Sequence, residues 1–289
     1  MSGNGYQGRN YMNSRASLRP WLMCTTACLI LAWASPAGAV DALATPTGGQ
    51  VVAGQGTFSN TRPGSLTVNQ QSNRAVFQWN SFDIGAKAKV EFKQPTATSV
   101  AVNRVTGSGQ EGSQILGSLK SNGRIFILDP NGVIFGKTAK VDVGGIIAST
   151  GDLNTADFMA GNRTIDITNA AQGSVVNLGT ISVKSGGLAA FVAPHVVNAG
   201  VITANAGSVA LGAGRAATVD LYGDQLISLT VNEEVAGALA SNTGKIQADG
   251  GKVQLTARAA AGIVDDVVNM SGTIRAQTVK QVGGRIILD

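Results

Sequence analysis

The second half of the chain repeats itself with a period near 21 residues, too short a unit to bury a core alone. "VVNLGTISVKSGGLAAFVA" begins at Val175 and "VVNAGVITANAGSVALGAG" at Val196. "SNTGKIQADGGKVQLTARA" follows from Ser241 and "VVNMSGTIRAQTVKQVGGRIILD" from Val267. Each copy reads Asn, a small gap, Gly, one residue, Ile, then a short strand, a Gly-containing corner and another strand. Gly179 and Gly200 stand 21 apart. Gly244 lies 44 further on, which predicts one degenerate copy around Asp220 to Asn232, and Gly272 follows after 28 with room for a loop. Units of this kind must stack on their neighbours, so a solenoid is expected.

A leucine-rich horseshoe needs a leucine-dominated consensus and a helix in every repeat, and these copies have neither. The pattern predicts an all-β parallel β-helix, each coil adding a strand to each face ~4.8 Å from the last. Ile181, Val183, Ile202, Val209, Leu211, Ile246, Val253 and Leu255 alternate with polar residues and are the expected core. Asn at one corner of successive coils is expected to stack and share amide hydrogen bonds, with Gly supplying positive φ beside it. The length accommodates on the order of ten coils at this repeat size. One short helix is expected from Asn154 to Ala160, capped by Asn154 and ended by Gly161.

The first 39 residues read as a signal peptide rather than fold. Arg9, Arg15 and Arg19 form a positive region without carboxylates, Trp21 to Trp33 is apolar, and Ala37-Gly38-Ala39 precedes a cleavage point between Ala39 and Val40. The positive region is long, which makes Met12 an alternative start. The apolar run falls short of the ~20 residues that span a bilayer. Removing three arginines turns 22 basic against 17 acidic residues into 19 against 17, a net charge of +2 for residues 40–289. No basic patch is then expected, and nucleic acid is not an expected partner. Both cysteines, Cys24 and Cys28, fall in the leader, and the sequence around Cys28 is a poor lipoprotein signal. The remaining chain has no thiol. Either its core is large enough to need no bridge, or a bridge formed in the periplasm would block later passage through a narrow pore. Apolar residues at 44% exclude disorder, and charged residues at 13% are about half the usual share.

"ILDPNGVIFG", from Ile127 to Gly136, sets a proline between two strand-like runs. Asp129, Pro130, Asn131 and Gly132 suit the four positions of a type I turn. The flanking runs Ile125 to Leu128 and Val133 to Phe135 are continuously apolar, as in strands buried on both faces.

Parallel β-helices include polysaccharide-cleaving enzymes, which need paired carboxylates or Asp clusters holding Ca²⁺. The close acidic pairs are Glu233-Glu234 and Asp265-Asp266, and neighbours on a strand point to opposite faces. His195, the single histidine, follows Pro194 in an expected turn, with no Cys or second His to complete a zinc site. "GSGQEGSQ" from Gly107 to Gln114 lacks the lysine and helix of a phosphate loop. Trp79 reads as core or cap packing beside Phe77 and Phe82. No catalytic residue, metal or cofactor is expected.

"SNRAVFQWNSFDIGAKAKVEFKQP" from Ser72, "NRVTGSGQEGSQILGSLKSNGRIFILDPNGVIFG" from Asn103 and the closing "VVNMSGTIRAQTVKQVGGRIILD" resemble the secretion domain of filamentous-haemagglutinin-type proteins. Those are the exported partners of two-partner secretion systems in Gram-negative bacteria. The resemblance covers residues 40–289 as one domain and implies a right-handed parallel β-helix with an N-terminal cap. It also implies recognition in the periplasm by an outer-membrane barrel transporter carrying POTRA domains. The product would be secreted or held at the outer-membrane surface, as a monomer. The family's Asn-Pro-Asn-Gly signature falls on Asp129, Pro130, Asn131 and Gly132, with Asp in place of the first Asn. Its Asn-Pro-Asn-Leu signature is absent, and Asn103 and Arg104 stand in that region as a secondary recognition candidate. The alternative is a stand-alone extracellular adhesin whose β-helix face contacts host glycan, matrix or other cell surfaces.

Mass analysis of the exported protein is expected to give Val40 as the first residue. A start at an acylated Cys28 would make the protein a lipoprotein instead.

Overall fold

The computed structural model describes residues 40–107, 111–162, 164–168, 170–220, 229–231, 238–257, 268–276 and 285–288. The expected leader through Ala39, the pairs Glu233-Glu234 and Asp265-Asp266, and residues 108–110 of the glycine-rich segment lie outside them.

Three sheets run along one axis. The first has nine strands, from Gln50–Ala53 to Arg285–Leu288. The second also has nine, from Gly56–Arg62 to Thr273–Arg275, and the third has six, from Ser113–Ile115 to Val268–Met270. Gln50–Ala53 pairs antiparallel with Arg74–Trp79, and Gly56–Arg62 pairs antiparallel with Ser65–Gln70. Setting those two aside leaves eight parallel strands in each long sheet. The protein is a right-handed parallel β-helix with an N-terminal cap. Eight coils fall among the described residues, on the order expected.

The cap meets an aromatic plug. Phe58, on the cap strand, packs edge-on against Phe77 at 5.7 Å and Trp79 at 5.1 Å, and Trp79 packs against Phe82 at 5.7 Å. All eight expected inward residues of the repeats lie in the continuous core below that plug. The amide ladder forms too. Asn177 Nδ2 donates to Asn198 Oδ1 at 2.7 Å, and Asn198 Nδ2 donates to Asn242 Oδ1 at 2.6 Å, all three side chains being buried. The ladder stops there. Asn269 is separated from Gly272 by two residues rather than one, so Met270 takes the position that pairs with Asn242 and Asn269 faces outward. Asn242 Nδ2 is left buried without a partner among the described residues.

Two expectations are corrected. The glycines beside the Asn ladder do not have positive φ. Their need is proximity: a Cβ at Gly200 would lie 2.2 Å from the Gly179 carbonyl oxygen, and one at Gly244 2.2 Å from that of Gly200. A second column repeats the constraint, Gly187 on Gly144 and Gly207 on Gly187, each at 2.2 Å. The coil expected around Asp220 to Asn232 does not exist. His195–Asn198 pairs directly with Leu239–Asn242, so Gly200 and Gly244 stand in adjacent coils. Within the intervening stretch, Ala217–Asp220 and Leu229–Val231 join Asp152–Leu153 and Thr164–Thr168 in a small antiparallel sheet.

That sheet, with the helix Thr155–Ala160, covers the outer side of the first long sheet. The helix has the expected ends: Asn154 Oδ1 accepts from the amides of Ala156 and Asp157, and Gly161 closes it at φ 87°. Its Phe158 buries against Phe126 in a second core with Val102, Leu128, Ile147 and Ile167. Arg124–Leu128 is therefore buried on both faces, as expected, whereas Ile134 on the far side of the turn is only half-buried. Among the described residues, the third sheet has no such cover there.

Gly200→Ala is expected to destabilise the protein by about 1–3 kcal/mol, because two stacked corners must part to admit the methyl group. Chemical denaturation followed by circular dichroism measures it; an unchanged midpoint would contradict the close approach.

Candidate functional site

The turn after Arg124–Leu128 links the first sheet to the third. The Asp129 carbonyl accepts from the Gly132 amide at 3.0 Å, the bond that defines the turn. The Asp129 side chain points inward and is 2% exposed. One carboxylate oxygen accepts from the Asn131 amide at 2.9 Å, and the other accepts from the Ser113 hydroxyl at 2.7 Å. Gly132 opens the next strand at φ 120°, a conformation that favours glycine. Pro130 and Asn131 are left exposed at the tip. The Asn131 carboxamide makes no hydrogen bond among the described residues.

Neighbouring coils grip this turn from both sides. A Cβ at Gly112 would lie 2.4 Å from the Gly132 carbonyl oxygen, and one at Gly173 2.7 Å from the Asn131 carbonyl carbon. Glycine on either side lets the three corners stack into one ridge. Ser113, Gly112 and Gly173 escaped the sequence reading, because the copies in the first half are too degenerate to show which residues share a corner. The first family-type Asn is replaced by Asp129, and Ser113 supplies the donor that a second carboxylate oxygen needs.

Burial raises the Asp129 carboxyl above its ordinary 3.8, against the opposing hydrogen bonds from Ser113 and Asn131, and the nearby Asp83 charge adds to the rise. Asp83 is raised as well, first by burial and further by Glu111, while the Gln114 amide donating to it at 2.8 Å works the other way. Three carboxylates thus share one corner.

Asn103 and Arg104 lie in register with Ile127 and Leu128 on the adjacent strand, so both candidate segments reach the same end of the first sheet. Their side chains do not join Asn131 at the surface. Asn103 is fully buried, accepting from Trp79 Nε1 at 3.0 Å and donating to the Phe126 carbonyl at 3.1 Å. Arg104 Nε donates to Asp152 at 2.9 Å and Nη2 donates to the Leu153 carbonyl at 2.9 Å, which ties the stretch from Asp152 to Thr168 down. Val40 is half-buried at the start of the described residues. His195 opens a strand rather than sitting in a turn, between Ser174 and Leu239. No metal-holding group of side chains occurs among the described residues.

Comparison with known proteins fits this architecture. The family described as the TPS secretion domain matches residues 42–289. A heme/hemopexin-binding protein of Haemophilus influenzae is 33% identical over 249 residues, covering 84% of this chain and 27% of that protein. A second heme/hemopexin-binding protein of that species is 39% identical over 122 residues, 40% of this chain and 13% of the other. The crystal structure of the HMW1 secretion domain from Haemophilus influenzae superposes with a TM-score of 0.72 at 31% identity, covering 84% of this chain and 62% of that one.

The raised Asp129 value has a thermodynamic consequence. The folded state holds this proton more tightly than the unfolded chain, so the contribution of this group to stability falls as pH rises above 3.8. Asp129→Asn keeps the acceptor for Asn131 and turns a donor toward Ser113. It is expected to melt at or above the wild-type temperature at neutral pH, with a smaller loss of stability between pH 3.8 and neutrality. Thermal melts across that range check it; a variant with the wild-type pH dependence would show that Asp129 is not the responsible group.

Proposed function

The chain belongs to the TPS secretion domain family, and from that premise we propose that it is the recognition module by which an outer-membrane barrel transporter exports a larger surface protein. The observation that carries this reading is the family match across residues 42–289. Members are exported partners of two-partner secretion systems, and the domain interacts with its outer-membrane transporter. The finer steps are part of the proposal. The leader through Ala39 directs the chain into the periplasm, where POTRA domains of the transporter engage it. Extended segments add a strand to a POTRA sheet edge, main-chain bonds giving affinity and side chains giving register. The chain matches 27% of the length of its heme/hemopexin-binding relative, so the ligands in that name belong to a much longer protein.

The turn is the side-chain element of this recognition. Its buried half, Asp129 and Gly132, fixes the conformation, the exposed Pro130 holds the tip rigid, and the exposed Asn131 carboxamide meets the transporter. Asn131 offers an unengaged amide donor and acceptor on a rigid tip, so little ordering entropy is lost on contact.

Asn131→Ala separates recognition from architecture without adding a charge beside Asp83, Glu111 and Asp129. Leaving a recognition partner unpaired costs about 1–3 kcal/mol, roughly a five- to hundred-fold loss of affinity. Secretion through the cognate transporter is expected to fall accordingly, with the melting temperature unchanged. Wild-type secretion by Asn131→Ala would leave the turn as architecture alone. Pro130→Ala, which loosens the turn without altering polarity, is the control.

A further inference from the structure

The outer face of the second sheet concentrates charge that the whole chain does not have. A net charge of +2 for residues 40–289 gives no reason to expect a basic patch, yet the coils gather one. A groove of about 850 Å³ along this face is lined by Arg62, Lys89, Lys120 and Lys140, with Glu91 and Asp142 as its acidic residues. Lys87 and Lys137 flank it on one side, and Lys93 and Lys184 on the other. These eight basic and two acidic side chains, all exposed, give the face a net charge of +6. The rest of residues 40–289 must then carry −4. Among the described residues, Lys184 alone of these cations is ion-paired, with Asp142 at 3.3 Å.

The pattern is ordered as well as positive. Ser65, Lys89, Ser118, Lys140 and Thr180 form one row across five coils. Lys89 and Lys140 are two coils apart, a separation of ~10 Å. A hydroxyl stands between them and at each end. Thr67, Glu91, Lys120, Asp142 and Ser182 form the parallel row.

We propose that this face binds a linear anionic polysaccharide laid along the solenoid axis, one carrying a carboxylate or sulfate on each disaccharide. Widely spaced ammonium groups meet the recurring anion, and the intervening Ser and Thr hydroxyls meet sugar hydroxyls. Nucleic acid fits less well. Its phosphates recur every ~3.4 Å along each duplex strand, about three charges for each lysine of the row, and the groove has no aromatic side chain on which a base could stack. An extended acidic peptide presents same-side carboxylates every ~6.8 Å, out of step with the lysines. This binding is separate from transporter recognition, so either can fail while the other stands.

Isothermal titration of the purified protein with hyaluronan and chondroitin sulfate dodecasaccharides tests the proposal, with duplex DNA and poly-glutamate of equal total charge alongside. At least one glycan is expected to bind saturably and more tightly than DNA or poly-glutamate, and to weaken as salt rises. Lys89→Glu with Lys140→Glu is expected to lower that affinity at least about tenfold. Lys245→Glu, on the same sheet outside the groove, is expected to change it less than about twofold. Lys89→Gln with Lys140→Gln gives a smaller loss and serves if the charge reversals disturb folding. Absence of glycan binding, or glycan binding indifferent to both pairs of substitutions, would overturn the proposal. So would DNA or poly-glutamate binding as tightly, which would mark the face as an indiscriminate polyanion surface.

Discussion

The close stacking of backbone on backbone at the corners governs the rest of this structure. Parallel strands ~4.8 Å apart bring each corner against the one below, and a Cβ at Gly200, Gly207 or Gly244 would sit about 2.2 Å from a carbonyl oxygen of the previous coil. Glycine is thus required by distance more than by backbone conformation. Once the corners close, the inward residues form a continuous core and the amides of Asn177, Asn198 and Asn242 meet face to face. The same stacking holds the Asp129 turn between Gly112 and Gly173. Recognition and architecture at that turn use different atoms of the same four residues.

Much of this was legible in the sequence. The alternation that places Ile181, Ile202 and Ile246 inward is a local pattern, as is the cap-to-glycine frame of the single helix. Three things were not legible, each because it depends on which residues share a rung. The 44-residue interval between Gly200 and Gly244 looks like two periods, and only pairing shows it to be one coil with an insertion. Asn103 resembles a surface signature residue, but its neighbours Trp79 and Phe126 turn it into a satisfied buried amide. The lysines of the second sheet are scattered from Lys87 to Lys184, too far apart for any window of sequence to reveal their common face.

The first long sheet depends on its covering. Its outer side carries Val76, Val102, Phe126, Leu128 and Ile147, which form a second core only because the helix and small sheet lie over them. Two cations hold that cover in place. Arg104 grips Asp152 and Leu153, and Arg74 lies 5.2 Å from the centre of the Phe158 ring while donating to the Phe158 carbonyl. A guanidinium suits such a position, pairing in its plane and stacking through its face. The solenoid therefore has one dressed side and one bare charged side.

The insertion between Gly200 and Gly244 also says something about how such a chain tolerates change. The strand Ser208–Ala213 ends, the chain leaves, and Leu239–Asn242 resumes on the next rung with its register against His195–Asn198 intact. Closing a loop costs only ~0.6 kcal/mol more for each doubling of its length, so the rungs above and below need not register how long the detour is. Ala217–Asp220 and Leu229–Val231 are held in the covering sheet, so the natural graft points are the connections between these strands and from Val231 to Leu239. A guest epitope or small folded domain placed there would be carried beside the stacked coils, its attachment fixed by their register rather than by its own sequence.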